Sequence, residues 1–182
     1  MSLHASLTKI LKALSPSLRT LACMFTRASG ANANFSLYLG VTFPSLSEIT
    51  IYNCLFSSRG SLNADFPVLK YAHFAYCESY PYMFHNMVPA LTHVRLTMPF
   101  NQYEYDGRFR DPFCFGHPPQ LKRLALLVDS EEREHCIRES LPRELEDITE
   151  FLLHTGKEDR YSFDDVEEDW IRGIGHRNGS YW

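Results

Sequence analysis

The apolar positions of this chain fall into a short phrase that is written five times. Pro16–Cys23, Pro44–Ile51, Pro67–Phe74, Pro89–Leu96 and Pro119–Leu126 all read Pro-x-Leu-x-x-apolar-x-apolar, with prolines 28, 23, 22 and 30 residues apart. The last two apolar positions of each copy alternate with other residues, which is the two-residue period of a strand whose side chains point to opposite faces. In the second copy this turns Ile49 and Ile51 inward and Glu48, Thr50 and Tyr52 outward. Leu46 enters the core from the turn before the strand, and the proline stops any preceding helix from running on. One such unit cannot bury its apolar side alone, so neighbours stack and their strands form a parallel sheet.

The phrase L-x-x-L-x-L at this period is that of the leucine-rich repeat. It predicts an α/β chain: a short leucine-rich-repeat-like solenoid of about five parallel strands, with helices or irregular turns on the convex side. Residues 1–15 lead in as a helix, with Leu3, Leu7, Ile10, Leu11 and Leu14 on one face of Ser2–Leu14. Residues 16–129 hold the repeats, and 130–182 form an acidic C-terminal helix and capping tail. Within that tail Leu145, Ile148, Phe151 and Leu152 predict a helix over Glu144–His154, and Arg160–Phe163 a last strand. Cys54 and Cys77 take the final position of L-x-x-L-x-L-x-x-N/C, where a small buried donor reaches backbone carbonyls of the turn leaving the strand. Thr26 and Asp129 stand at the equivalent place in the first and fifth copies, and Pro99 in the fourth offers no donor.

Composition narrows the class. With 45% hydrophobic and 22% charged residues in 182, the chain is an ordinary globular domain, and no apolar run is long enough for a transmembrane helix. A net charge of -4 argues against nucleic acid as the main partner. That charge is uneven. Residues 1–128 hold eleven Lys/Arg and six Asp/Glu, a net of +5, whereas residues 129–182 hold seven and sixteen, a net of -9. Five cysteines without a CxxC pair or a secretory signal indicate reduced thiols, and with them a cytoplasmic or nuclear location.

Motifs that carry chemistry are missing. There is no G-x-S-x-G, Walker loop, H-E-x-x-H or dinucleotide fingerprint, so no enzyme activity and no cofactor is expected. Glu78, His73, His85 and His93 lack the spacing of metal ligands on a helix, so no metal site is expected either. His135-Cys136 are sequence neighbours rather than a nucleophile and its base, and Glu131-Glu132-Arg133-Glu134 reads as a solvated helical face. The informative set is the outward row. Successive copies present Thr20, Glu48, Tyr71, His93 and Arg123 in one column, Ala22, Thr50, His73, Arg95 and Ala125 in the next, and Met24, Tyr52, Ala75, Thr97 and Leu127 in the third. Glu48, Tyr52, Tyr71, His73, His93, Arg95 and Arg123 are therefore the candidate partner-binding residues on the concave sheet face. Tyr and Arg are enriched in binding hot spots, and guanidinium forks suit an acidic or phosphorylated peptide. The alternative at these positions is an ordinary polar surface.

The copies Phe43-Pro44-x-Leu and Phe66-Pro67-x-Leu ending in Cys54 and Cys77, then Pro89-x-Leu-Thr-His-Val-Arg-Leu96, then Glu168-Asp-Trp-Ile-Arg-Gly-Ile-Gly175, resemble fungal F-box proteins of the leucine-rich-repeat type. The resemblance runs from about Pro16 to Trp182. It implies a repeat domain that selects a protein substrate, beside an F-box that docks onto a cullin-type ubiquitin ligase. The fifteen residues before Pro16 are too few for an F-box, so the recognition half is what the resemblance implies here. Two other readings stand beside it: a structural protein that self-assembles through an open solenoid end, and a fragment without independent function.

Overall fold

The computed structural model describes residues 3–24, 41–52, 66–75, 77, 88–97, 118–128, 130–153, 164, 167–168 and 171–172. Helix α1 (Leu3–Leu14) precedes β1 (Thr20–Met24), β2 (Glu48–Tyr52), β3 (Tyr71–Ala75), β4 (His93–Thr97) and β5 (Arg123–Val128). Helices α2 (Glu131–Ser140) and α3 (Arg143–Glu146) then lead to β6 (Thr149–Leu153). The six strands form one sheet in the order β1-β2-β3-β4-β5-β6, every neighbouring pair parallel. The chain is thus α/β with few helices, and five of the strands fall on the five copies of the phrase.

The phrase builds each strand entry in the same way. Phe43 O accepts from Leu46 N at 3.4 Å, Phe66 O from Leu69 N at 3.3 Å, Val88 O from Leu91 N at 3.0 Å and Pro118 O from Leu121 N at 3.0 Å. Each is a four-residue turn with proline second, where its fixed φ is already the one the turn needs. The residue before each of these prolines is buried, and Phe43 and Phe66 stack with ring centroids 5.5 Å apart. One carbonyl before each of β1 to β4 then ties it to the next strand. Arg19 O accepts from Ser47 N and Glu48 N, Ser47 O from Lys70 N and Tyr71 N, Lys70 O from Thr92 N and His93 N, and Thr92 O from Lys122 N and Arg123 N. The Ser47 and Thr92 hydroxyls add a bond each to the same carbonyls, at 3.1 Å. Inward from these turns Leu46, Ile49, Ile51, Leu69, Ala72, Leu124 and Leu126 reach 0% exposure and form one continuous core with Phe74, Leu91, Val94 and Leu96.

Cys77 fills its expected place: it is buried, and its thiol donates to Ile51 O and Ala75 O, both at 3.6 Å. Cys54, Thr26, Pro99 and Asp129 lie outside the described residues, as does Arg160–Phe163.

Two expectations are corrected. The predicted helix over Glu144–His154 is instead one short turn, α3, followed by the sixth strand. Pro142, Leu145, Ile148 and Phe151 repeat the turn-and-strand phrase with extra residues in it. Leu145 N donates to Pro142 O at 2.9 Å, as in the other turns, and Leu145 is fully buried. The β-branched Ile148 and Thr149 beside Phe151 favour the extended chain. Apolar spacings of three alone resemble a helical face, which is why the sequence misleads here. The second correction concerns α1, whose apolar face is only half used. Leu11 is buried, whereas Ile10 is 55% and Leu14 47% exposed. The side chains of Leu3 and Leu7 are outside the described set.

Candidate partner-binding row

The register aligns the predicted columns. Thr20 stands opposite Glu48, Glu48 opposite Tyr71, Tyr71 opposite His93 and His93 opposite Arg123. Parallel pairing brings such residues side by side on one face, close enough for their side chains to interact. The Tyr71 and His93 rings lie with centroids 5.0 Å apart, tilted by 35°. All of Glu48, Tyr71, His93 and Arg123 are half-buried, with Lys70 and Lys122 exposed at the margin.

The Thr92 hydroxyl holds the His93 ring in place. The Thr92 hydroxyl donates its one proton to Lys70 O and also lies 2.8 Å from His93 Nδ1. Partial burial holds the His93 pKa below its ordinary value, and the charges of Arg123 and Lys122 push the same way. At the other end of the row burial raises the Glu48 carboxyl above its usual value.

Arg123 is engaged by a residue that the helical reading of the C-terminal segment hides. Its Nε donates to Glu150 Oε2 at 2.9 Å, and its Nη2 donates to the same oxygen. Glu150 lies on β6, in register with Ala125 of the second column, and both partners keep substantial exposure, at 37% and 45% of the side chains. The signal that could have found it is the Ile-Thr-x-Phe strand phrase after Pro142.

Of the remaining predicted residues His73 leaves the surface, while Tyr52 and Arg95 are half-buried. His73 is 3% exposed, Thr50 1% and Thr97 2%, so the second and third columns are largely buried rather than solvent-facing. His73 Nε2 shares a hydrogen bond with Thr97 Oγ1 at 3.2 Å, the partner a buried polar group requires. Burial, followed by the positive charge of Arg95, holds the His73 pKa well below its ordinary value and keeps the ring neutral. The Nε atom of Arg95 is itself buried. Tyr52 is half-buried, packing with Met24 and Leu152 against a small apolar cluster of Ala75 and Leu127. Of the seven candidates, Glu48, Tyr71, His93 and Arg123 form one half-buried register row, Arg95 and Tyr52 are half-buried in the columns beside it, and His73 is buried.

The other reactive side chains stand apart from this row. Burial pushes the Cys23 thiol up to about 11, well away from a reactive thiolate. His135 pairs with Glu139 at 3.3 Å on the exposed face of α2. Among the described residues no group of three His, Cys, Asp or Glu side chains could hold a metal ion, and no helix is long and apolar enough to cross a membrane. Compared with known proteins, the chain shows no significant match to a family model, a curated protein or a solved structure.

Proposed function

We propose that the chain is a non-catalytic protein-interaction module. It is built as a short leucine-rich-repeat solenoid, resembling the substrate-recognition domain of a fungal F-box protein, and it binds a protein partner through the row Glu48, Tyr71, His93 and Arg123. The observation that carries this reading is the row itself: one register line places the Tyr71 ring, the His93 imidazole and the Arg123 guanidinium side by side and half-buried. Tyr and Arg bring contact area and directed donors to protein interfaces, and nothing in the row pairs a nucleophile with a base.

The partner is an acidic or phosphorylated segment. Lys70, Lys122 and Arg123 line the row, and Glu150 already shows how a carboxylate sits on the guanidinium. An incoming acidic group takes the place of Glu150, so Glu150 acts as an internal competitor. The test is affinity capture from cells with four forms of the chain. Lys70→Glu/Lys122→Glu and Tyr71→Ala should lose the partners that wild type retains, and Glu150→Gln should retain more. An identical partner list for all four forms would sink the proposal.

A further inference from the structure

We propose that the chain assembles end to end with further copies of itself, the β1 end of one copy stacking on the β6 end of the next. This does not depend on the partner-binding row. It starts from the β1 end, where the core is left unfinished. Leu18 and Leu21 are half-buried, although their counterparts Leu46 and Ile49 on β2 are completely buried. Ile10 and Leu14 are exposed on the helix that leads into the same strand. Among the described residues β1 has β2 as its single neighbour, and β6 has β5. The strand Thr20-Leu-Ala-Cys-Met24 carries no charge and no proline, the usual devices that keep an edge from pairing.

The backbone of the two edges is complementary. Within a parallel ladder, alternate residues turn their amide groups to opposite neighbours. Arg19 gives its carbonyl to β2, so Thr20, Ala22 and Met24 turn theirs to the outer side. Ile148 gives its carbonyl to Leu124 N of β5, so Thr149, Phe151 and Leu153 turn theirs outward. At the internal joins, outward-column residues such as Glu48 bond the preceding strand, and inward-column positions such as Ser47 bond the following one. A β6-to-β1 joint obeys that same rule, and in the register of the internal joins it sets Phe151 against Cys23 and Thr149 against Leu21.

Charge selects this joint over a two-fold pairing of two β1 ends. Lys9, Lys12 and Arg19 are exposed around the β1 end, and no acidic residue precedes Glu48. Glu144, Glu146 and Asp147 are exposed in the turn that enters β6. A two-fold would oppose two basic ends, whereas stacking head to tail opposes basic to acidic. A heterologous joint of this kind leaves an open end at each side and so builds chains rather than a closed dimer.

Sedimentation of the full chain over a range of concentrations tests it. Wild type should gain mass with concentration, and the gain should shrink as salt is raised. Lys9→Glu/Lys12→Glu/Arg19→Glu and, separately, Glu144→Lys/Glu146→Lys/Asp147→Lys should each remain monomeric, since each loses one side of the joint. Circular dichroism checks that both stay folded; Ala22→Pro, which removes an outward amide of β1, serves as a second block of the same end. Mixing the two charge variants makes both joints between unlike copies complementary, one with the wild-type charges and one with them reversed, so the mixture should regain mass with concentration as chains in which the two variants alternate. A wild type that is monomeric at every concentration would overturn the proposal. So would self-association that survives in the Glu144/Glu146/Asp147 variant, since that is the mark of two β1 ends meeting.

Discussion

On the inward face of the sheet Ile49, Ile51, Ala72, Leu96 and Leu124 are buried among apolar neighbours, and on the outward face Thr50, His73 and Thr97 are buried almost as completely while being polar. The same strands therefore bury residues on both sides by different means. Inward, the gain is the transfer of hydrocarbon from water and close packing. Outward, polar atoms lose water and need partners, which the His73–Thr97 hydrogen bond supplies. The first outward column is half-buried throughout and keeps exposure with which to meet another molecule, as do Arg95 and Tyr52 in the columns beside it. The difference shows that alternation assigns side chains to a face but does not say whether that face is wet.

The largest effect that separates the two faces should come from Leu69→Ala or Leu91→Ala. Both residues are at or near 0% exposure, so a cavity should cost about 2–5 kcal/mol in denaturant unfolding. Leu121→Ala, at the half-buried equivalent of the fifth unit, should cost less. Equal losses at all three sites would mean that the units do not share one graded core. Cys77→Leu should come next, at about 1–3 kcal/mol from overpacking, with Cys77→Ser milder because a small donor remains. The reverse order would remove the thiol's bonds to Ile51 O and Ala75 O from the account.

The outward face should announce its burial through pH. His73 is neutral in the folded protein and its pKa is lowered, so below about pH 6.5 the unfolded chain takes up a proton that the folded one refuses. Stability should fall as pH drops through that window, with a slope approaching about 1.4 kcal/mol per pH unit from this group. Glu48 opposes it: its raised pKa makes the folded form the better proton acceptor just above the ordinary carboxylate value, which adds stability on acidification. The shift at His73 is the larger, so thermal melts should move down between pH 7 and 5.5, and His73→Gln should flatten the dependence. A pH dependence unchanged by that substitution would place the proton uptake elsewhere. The smallest effect belongs to the exposed pair of Arg123 and Glu150, where a double-mutant cycle on stability should give about 1 kcal/mol or less.

The five copies made β1 to β5 and their inward rows readable in advance, since proline, leucine and the alternating pair recur in the same phase. The sixth strand was not readable, because the added spacing between Leu145 and Phe151 imitates a helical period. That error also hid Glu150, and with it the partner of Arg123. The burial of His73 and Thr97 was not readable for another reason. A polar residue at an outward position has the same letters whether it faces water or a hydrogen-bonding neighbour, and only the three-dimensional neighbours tell the two apart.

The single carbonyl before each of β1 to β4, which takes the two amides that open the next strand, has a consequence for how the chain can change its length. Paired positions such as Tyr71 with His93, and His93 with Arg123, lie only one unit apart along the chain. Each join is made by neighbours in sequence, so ordering can begin at any one of them and zip outward in both directions. A whole unit carried with its own proline turn brings both halves of a join with it. Such a unit could be duplicated or deleted in register with the remaining joins re-forming as before.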